Sequence, residues 1–266
     1  MRFKITLIAT NLKSVIPINY QYPVSAAIYK VIRNADQEYA RFLHDAGYTQ
    51  ANSLKSFKLF TFSDIRTPFT ISGDRLRLTT RQAALEVCFH LPTAAEHFIK
   101  GLFQQQQFDI ADSKSKSRFE VSSVESLPDP LRGYRDTEIV SISLEPKSPV
   151  VAGLPNESGN YDFLDPADPR FTESLVYNWR SKIAACYDQE TAAGALLIAD
   201  SLSKKTPPKS RLITIKADTP AETKIRGWVN FDLKATAEKR FADLLLNAGA
   251  GVYNSQGMGC VGVAEI

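Results

Sequence analysis

Near its C-terminus the chain reads GAGVYNSQGMGCV, with Gly249, Gly251, Gly257 and Gly259 set between a helix-like segment and a final strand. Glycine at these four places specifies a backbone that bends tightly and lies close to something, because a side chain would block both. A dinucleotide fingerprint needs a strand before its glycines and a helix after them, and here the order is reversed. A Rossmann site is therefore excluded. Amides left bare of side chains suit instead a partner lined with phosphates, provided that cations lie nearby.

Cations do cluster just upstream. Between positions 204 and 226 stand Lys204, Lys205, Lys209, Arg211, Lys216, Lys224 and Arg226, against Asp218 and Glu222. The whole chain carries a net charge of only +3, with a pI near 8.6. The clustering, not the bulk charge, is what points to nucleic acid. From the residues alone the same cluster also fits a solvated hairpin face. Lys114, Lys116 and Arg118 stand among serines and read as an exposed turn.

Other classes are disfavoured. Cys88, Cys186 and Cys260 are far apart, with no CxxC pair and no Cys/His cluster at zinc spacing, so neither a disulfide scaffold nor a metal site is expected. No apolar stretch approaches the roughly 20 residues that cross a bilayer, and no start segment joins an apolar run to a cleavage site. A cytoplasmic protein without membrane partner or organic cofactor is expected.

The 266 residues are 44% hydrophobic and 23% charged, enough for two modest domains. Phe3, Ile5, Leu7 and Ile8 mark a half-buried strand. Val24, Ala27, Ile28, Val31 and Ile32 then recur at helical spacing, and Asp36 caps a second helical piece ending near Gly47. Strands follow at 57–62 and 76–80 and through Leu85, Val87, Phe89 and Leu91. Pro92 opens a helix with Ala94, Phe98, Ile99, Leu102 and Phe103 on its apolar face, and strand-like segments stand at 108–110 and 119–124. The proline-rich stretch 127–135 reads as a boundary. A similar order then repeats: a strand at 139–144, a helix with Leu175, Trp179, Ile183 and Cys186 on one face, strands at 195–199, 211–216 and 228–233, a helix bearing Phe241, Leu244 and Leu245, and a last strand ending at Ile266. The expected fold is α+β: two tandem ferredoxin-like (βαββαβ) domains, 1–126 and 136–266, with a C-terminal glycine-rich loop.

The glycine run resembles the C-terminal loop of the CRISPR-associated repeat-associated RNA-binding superfamily. IPINYQYPVSAAIYKVI, EYARFLHDAGY and SFKLFTFSDI, followed by KSPVV, the 179–182 helix segment, KSRLITIK and IRGWVNFDL, are similar in order and spacing to its repeat-processing endoribonucleases, the Cas-six family. The resemblance implies metal-independent cleavage of CRISPR precursor RNA within the repeat. A 2′-hydroxyl attacks the adjacent phosphate and leaves cyclic phosphate and 5′-hydroxyl ends. Further subunits of a CRISPR effector complex and a second copy of the chain are additional partner options. The alternatives are a non-cleaving RNA-binding scaffold subunit of the same superfamily and an unrelated ferredoxin-like protein with a small ligand.

By the same resemblance the catalytic residues are His44, with Tyr29 and Lys58 in support; Lys55 is the substitute for Lys58. The RNA-binding residues are Gly249, Gly251, Asn254, Ser255, Gly257 and Gly259 of the loop, with Lys204, Lys205, Lys209 and Arg211. His44 suits acid chemistry, since the last turn of a helix favours imidazolium. Tyr29 lies one position off its helix's apolar stripe, so its ring can pack while its hydroxyl reaches out. Lys58 interrupts an apolar run and must place its ammonium at an edge or cleft, where phosphate is a natural partner. His90 and His97 read as structural or exposed.

Overall fold

The computed structural model describes residues 1–49, 55–157, 161–217 and 219–264. In the N-terminal half, α1 (Gln21–Ala35) buries Val24, Ile28, Val31 and Ile32, the stripe its 3.6-residue period sets out. Asp36 ends that helix and starts the next, its Oδ1 accepting from Tyr39 N at 2.8 Å. This turns the chain into α2 (Gln37–Asp45). Then α3 (Pro92–Gln104), opened by Pro92, packs against α1.

The helices lie on an antiparallel sheet ordered Phe60–Phe62, Gln82–Phe89, Arg2–Ala9, Lys116–Ser126, Gln107–Ala111. The C-terminal half places α4 (Pro169–Cys186), the short α5 (Gln189–Gly194) and α6 (Lys239–Ala248) with a sheet ordered Ile198–Ser203, Phe231–Glu238, Ile139–Pro146, Val261–Val263. In each half the second, third, first and fourth strands of a βαββαβ unit lie side by side. Gln107–Ala111 is an added edge strand. The fold is α+β, two ferredoxin-like domains in tandem, each with its own apolar core.

The sequence reading departs from this in particulars. The expected strand at 211–216 belongs to a separate hairpin, Lys209–Ile215 with Thr223–Val229. The expected strand at 228–233 breaks at Asn230, whose φ of 66° lies in the left-handed region. Asparagine tolerates that conformation, and here its Nδ2 donates to Thr206 O and Pro207 O across the turn. Arg75–Leu78 joins a small three-stranded sheet instead of the main one. Phe103 is 76% exposed rather than on the buried face of α3. The last strand is Val261–Val263; residues 265–266 lie outside the described residues. Among the described residues no helix is long and apolar enough to cross a membrane.

Charged contacts fasten the halves. Glu86 accepts from Lys147 Nζ at 2.8 Å on both oxygens, with Arg66 at 3.3 Å and Arg2 at 3.6 Å. Asp64 takes Tyr20 Oη at 2.8 Å and Arg211 Nη1 at 2.8 and 2.9 Å, pinning the hairpin to the N-terminal half. Glu86 is only 6% exposed, so its loss strands Arg2 and Lys147, whose side chains are themselves largely buried, whereas Arg66 is exposed. Glu86→Gln should cost about 3–5 kcal/mol in denaturant unfolding; a change under about 1 kcal/mol, the scale of a surface pair, would show that this cluster does not hold the halves together.

Candidate active site

Asp36 sets the direction of α2, and His44 occupies its last turn with a side chain 69% exposed. His44 Nδ1 lies 2.8 Å from Asp45 Oδ1. That hydrogen bond is the main cause holding the Asp45 carboxyl below its usual range. An ionised carboxylate can only accept, so Nδ1 carries the hydrogen, and Nε2 is the ring nitrogen that Asp45 does not engage.

The His44 ring stands edge-on to Tyr29, centroids 5.3 Å apart, and Tyr29 stands edge-on to the buried Phe60 at 5.5 Å. Burial raises the Tyr29 pKa, an effect partly offset by Ser255. Near neutral pH Tyr29 is therefore a neutral phenol, able to donate but a poor base. Gly47 ends α2 with a φ of +66°, its amide donating to Phe42 O at 2.7 Å. A Cβ there would meet Lys58 Nζ at 2.9 Å and Phe57 O at 2.8 Å. The missing side chain is what lets Lys58 lie against the end of α2. Burial lowers the Lys58 pKa, with Asp45 acting in the opposite sense.

The C-terminal loop closes the site from the other half. A single 3₁₀ turn, Asn254–Gln256, docks on α1, where Ser25 Oγ donates to Ser255 O at 2.6 Å. His44, Tyr29, Lys58, Ser255 and Gln256 thereby line one groove of about 670 Å³, together with Arg33, Arg41 and Lys216. Three residues widely separated in sequence meet a loop two hundred residues downstream. The groove is open, mostly cationic at its rim, and carries an exposed imidazole, a phenol donor and an ammonium.

The remaining sequence candidates divide. Gly249, Gly251, Gly257 and Gly259 are buried, which corrects the expectation of bare, exposed amides. Side chains there would strike Val151 O from Gly251, the Phe62 ring from Gly257 and Ala250 O from Gly259, so the close approach is to the protein's own chain. The Asn254 side chain is likewise engaged internally, and only Ser255 and Gln256 of the loop reach the groove. Lys204 pairs with Asp232 at 3.1 Å and Glu145 at 3.5 Å, and Arg211 with Asp64. Lys205 and Lys209 are exposed on the hairpin side. None of these four lines the groove. Lys55 lies over the Tyr177 ring at 4.3 Å, in an adjoining cavity. His97 packs on Tyr39, and His90, half-buried just past the end of the Gln82–Phe89 strand, has its pKa pushed down to about 4 chiefly by burial.

Residues 15–125 match the family described as CRISPR-associated protein Cas6, N-terminal, and residues 132–263 that described as CRISPR associated protein Cas6, C-terminal. The chain belongs to the Cas6 family. It is 28% identical over 191 residues to CRISPR-associated endoribonuclease Cas6 1 of Methanocaldococcus jannaschii, across 71% of this chain and 68% of that protein. A solved structure described as CRISPR associated protein Cas6 superposes with a TM-score of 0.70 at 23% identity, covering 100% of this chain and 99% of the other. The product of a Cas6-related gene from Pyrococcus furiosus superposes with a TM-score of 0.77 at 19% identity, covering 100% and 98%. These two likenesses show a shared Cas6 fold.

Sequence reasoning missed Arg33 and Arg41, which line the groove. Arg33 stands four residues after Tyr29 on α1 and Arg41 three before His44 on α2, so i,i+3 and i,i+4 spacing could have drawn them in. The Lys58 environment is directly testable. Its side-chain amine, followed by NMR in labelled protein, should titrate below the ordinary lysine value of 10.5, because burial disfavours the charged form. A titration at or above that value would mean that Lys58 is fully solvated, against the packing at Gly47.

Proposed function

We propose that this chain is an endoribonuclease that cuts CRISPR precursor RNA within the repeat, by attack of a 2′-hydroxyl on the adjacent phosphate and without need of a metal ion. The observation that carries the reading is the meeting of His44, Tyr29 and Lys58 with the Ser255–Gln256 turn in one groove. The relative from Methanocaldococcus jannaschii, described as an endoribonuclease, supports the same reaction class.

In this reading the RNA strand lies along the groove with its scissile phosphate under the His44 ring. The 2′ oxygen bonds to phosphorus and the bond from phosphorus to the 5′ oxygen breaks. Protonated His44 gives its Nε2 hydrogen to the leaving 5′ oxygen, and the 2′ proton passes to solvent at the open mouth. Tyr29, held as a neutral phenol, donates to a non-bridging oxygen. The Lys58 ammonium stabilises the charge that builds there. Arg33, Arg41 and Lys216 hold flanking phosphates, and Lys205 and Lys209 offer weaker outer contacts. The products are a cyclic phosphate and a free 5′-hydroxyl.

His44→Ala should slow single-turnover cleavage of repeat RNA by about 10²- to 10⁴-fold, with RNA affinity little changed, in the presence of chelator. Unchanged cleavage would remove His44 from the chemistry, and binding of repeat RNA by wild-type protein without any cut would favour a scaffold role. The pH dependence has a defined sign. Lys58 is cationic below its own pKa, and that pKa is depressed by burial. The rate should therefore fall as pH rises through a point below the ordinary lysine value, and Lys58→Met should be slower and lack that alkaline fall. An alkaline limb identical in Lys58→Met would assign it to another group.

A further inference from the structure

Lys182, on α4 of the C-terminal half, is 2% exposed, and among the described residues no carboxylate pairs with it. Its Nζ donates instead to Gly249 O at 2.6 Å, Gly251 O at 3.1 Å and Asn254 Oδ1 at 2.6 Å. An ammonium has three hydrogens, and three uncharged oxygens receive them. Burial pushes the Lys182 pKa down to about 7. A charged side chain is costly at such depth, and its retention calls for a use.

The oxygens it grips lead to the groove. Asn254 turns its Oδ1 to the ammonium and uses its Nδ2 on Ala250 O at 3.0 Å and Met258 O at 3.1 Å, so one amide ties both arms of the loop to Lys182. Asn254 also opens the 3₁₀ turn whose next residue, Ser255, bonds Ser25 and faces Tyr29. Lys182 does not itself line the groove. One turn earlier on α4, Trp179 is locked in the core by its Nε1 bond to Phe241 O at 2.9 Å, which gives the lysine a rigid base.

Resting on the reading of the groove as the cleavage site, we propose that Lys182 is a positioning residue: it sets where the Ser255 turn meets Tyr29 and α1, and so holds the RNA-facing wall of the groove in register with His44. A core ammonium in one half thus tunes the geometry of a catalytic helix in the other. Its action runs through Asn254 and Ser255 to Tyr29, never through contact with RNA.

The test is single-turnover cleavage of repeat RNA by the full chain, at saturating and sub-saturating concentrations, for Lys182→Met, Tyr29→Phe and the double variant. A displaced wall should lower the saturating rate of Lys182→Met about 10- to 100-fold with a smaller change in half-saturating RNA. Because Lys182 acts through Ser255 on the placement of Tyr29, removing the Tyr29 hydroxyl should leave it little to act on, and the double variant should be little slower than the slower single one. Multiplying effects, or a saturating rate like that of wild type, would overturn the proposal. Asn254→Ala, which removes one acceptor and spares the lysine, should show the same pattern and judges the proposal if Lys182→Met does not fold. Wild-type protein serves as the separate arm: absence of cleavage there sinks the reading of the groove, whereas cleavage that requires His44 leaves Lys182 to be judged alone.

Discussion

At Gly257 the backbone of the C-terminal loop passes so near the Phe62 ring that an added Cβ would lie 2.6 Å from it, and the joining of the two halves turns on that approach. Met258 O is close enough to accept from the buried Thr61 Oγ1 at 2.9 Å. Ser255 O reaches Ser25. With any larger residue at 257, the loop would lift from the Phe60–Phe62 strand and take the Ser255 turn away from Tyr29. The groove exists because a chain segment from one domain is thin enough to lie against the other.

The pattern of glycines was plain in the sequence, but their reason was not. A backbone that approaches RNA and one that approaches Phe62, Val151 or Ala250 need the same residue, and sequence does not show which surface it meets. Helix punctuation was legible because its causes are local: Asp36 caps α2 by accepting from Tyr39 N, three residues on, and Gly47 ends it. The ferredoxin-like order followed from periodicity. Its exceptions arose where a short-range pattern had a long-range outcome, as in the hairpin 209–229, which leaves the main sheet at Asn230. His44, Tyr29 and Lys58 were reached through resemblance; no local feature joins positions 29, 44 and 58 until α1, α2 and the Phe60–Phe62 strand pack.

Charge was the least legible property. The cluster from 204 to 226 looked like one surface, yet Arg211 faces Asp64, 147 residues away, and Lys204 faces Glu145 and Asp232. Those cations hold the fold. Lys182 is the reverse case, a charged residue in the stripe of Leu175, Trp179 and Ile183 that helical periodicity could not mark as buried with its ammonium. Around His44 the division is one of burial: the imidazole is exposed, while the Tyr29 phenol and the Lys58 ammonium, whose pKa values burial shifts, are half-buried.

The central claim is that the scissile phosphate sits in the groove between α1, α2 and the loop turn, and not on the basic hairpin. The most direct measurement is a crystal structure of the chain with repeat RNA blocked by a single 2′-deoxy nucleotide at the cut. The account predicts the scissile phosphate with its 5′ oxygen within about 3 Å of His44 Nε2, Tyr29 and Lys58 on its non-bridging oxygens, and the Ser255 turn beside it. A scissile phosphate seated on Lys205 and Lys209, with the groove holding no RNA, would contradict it.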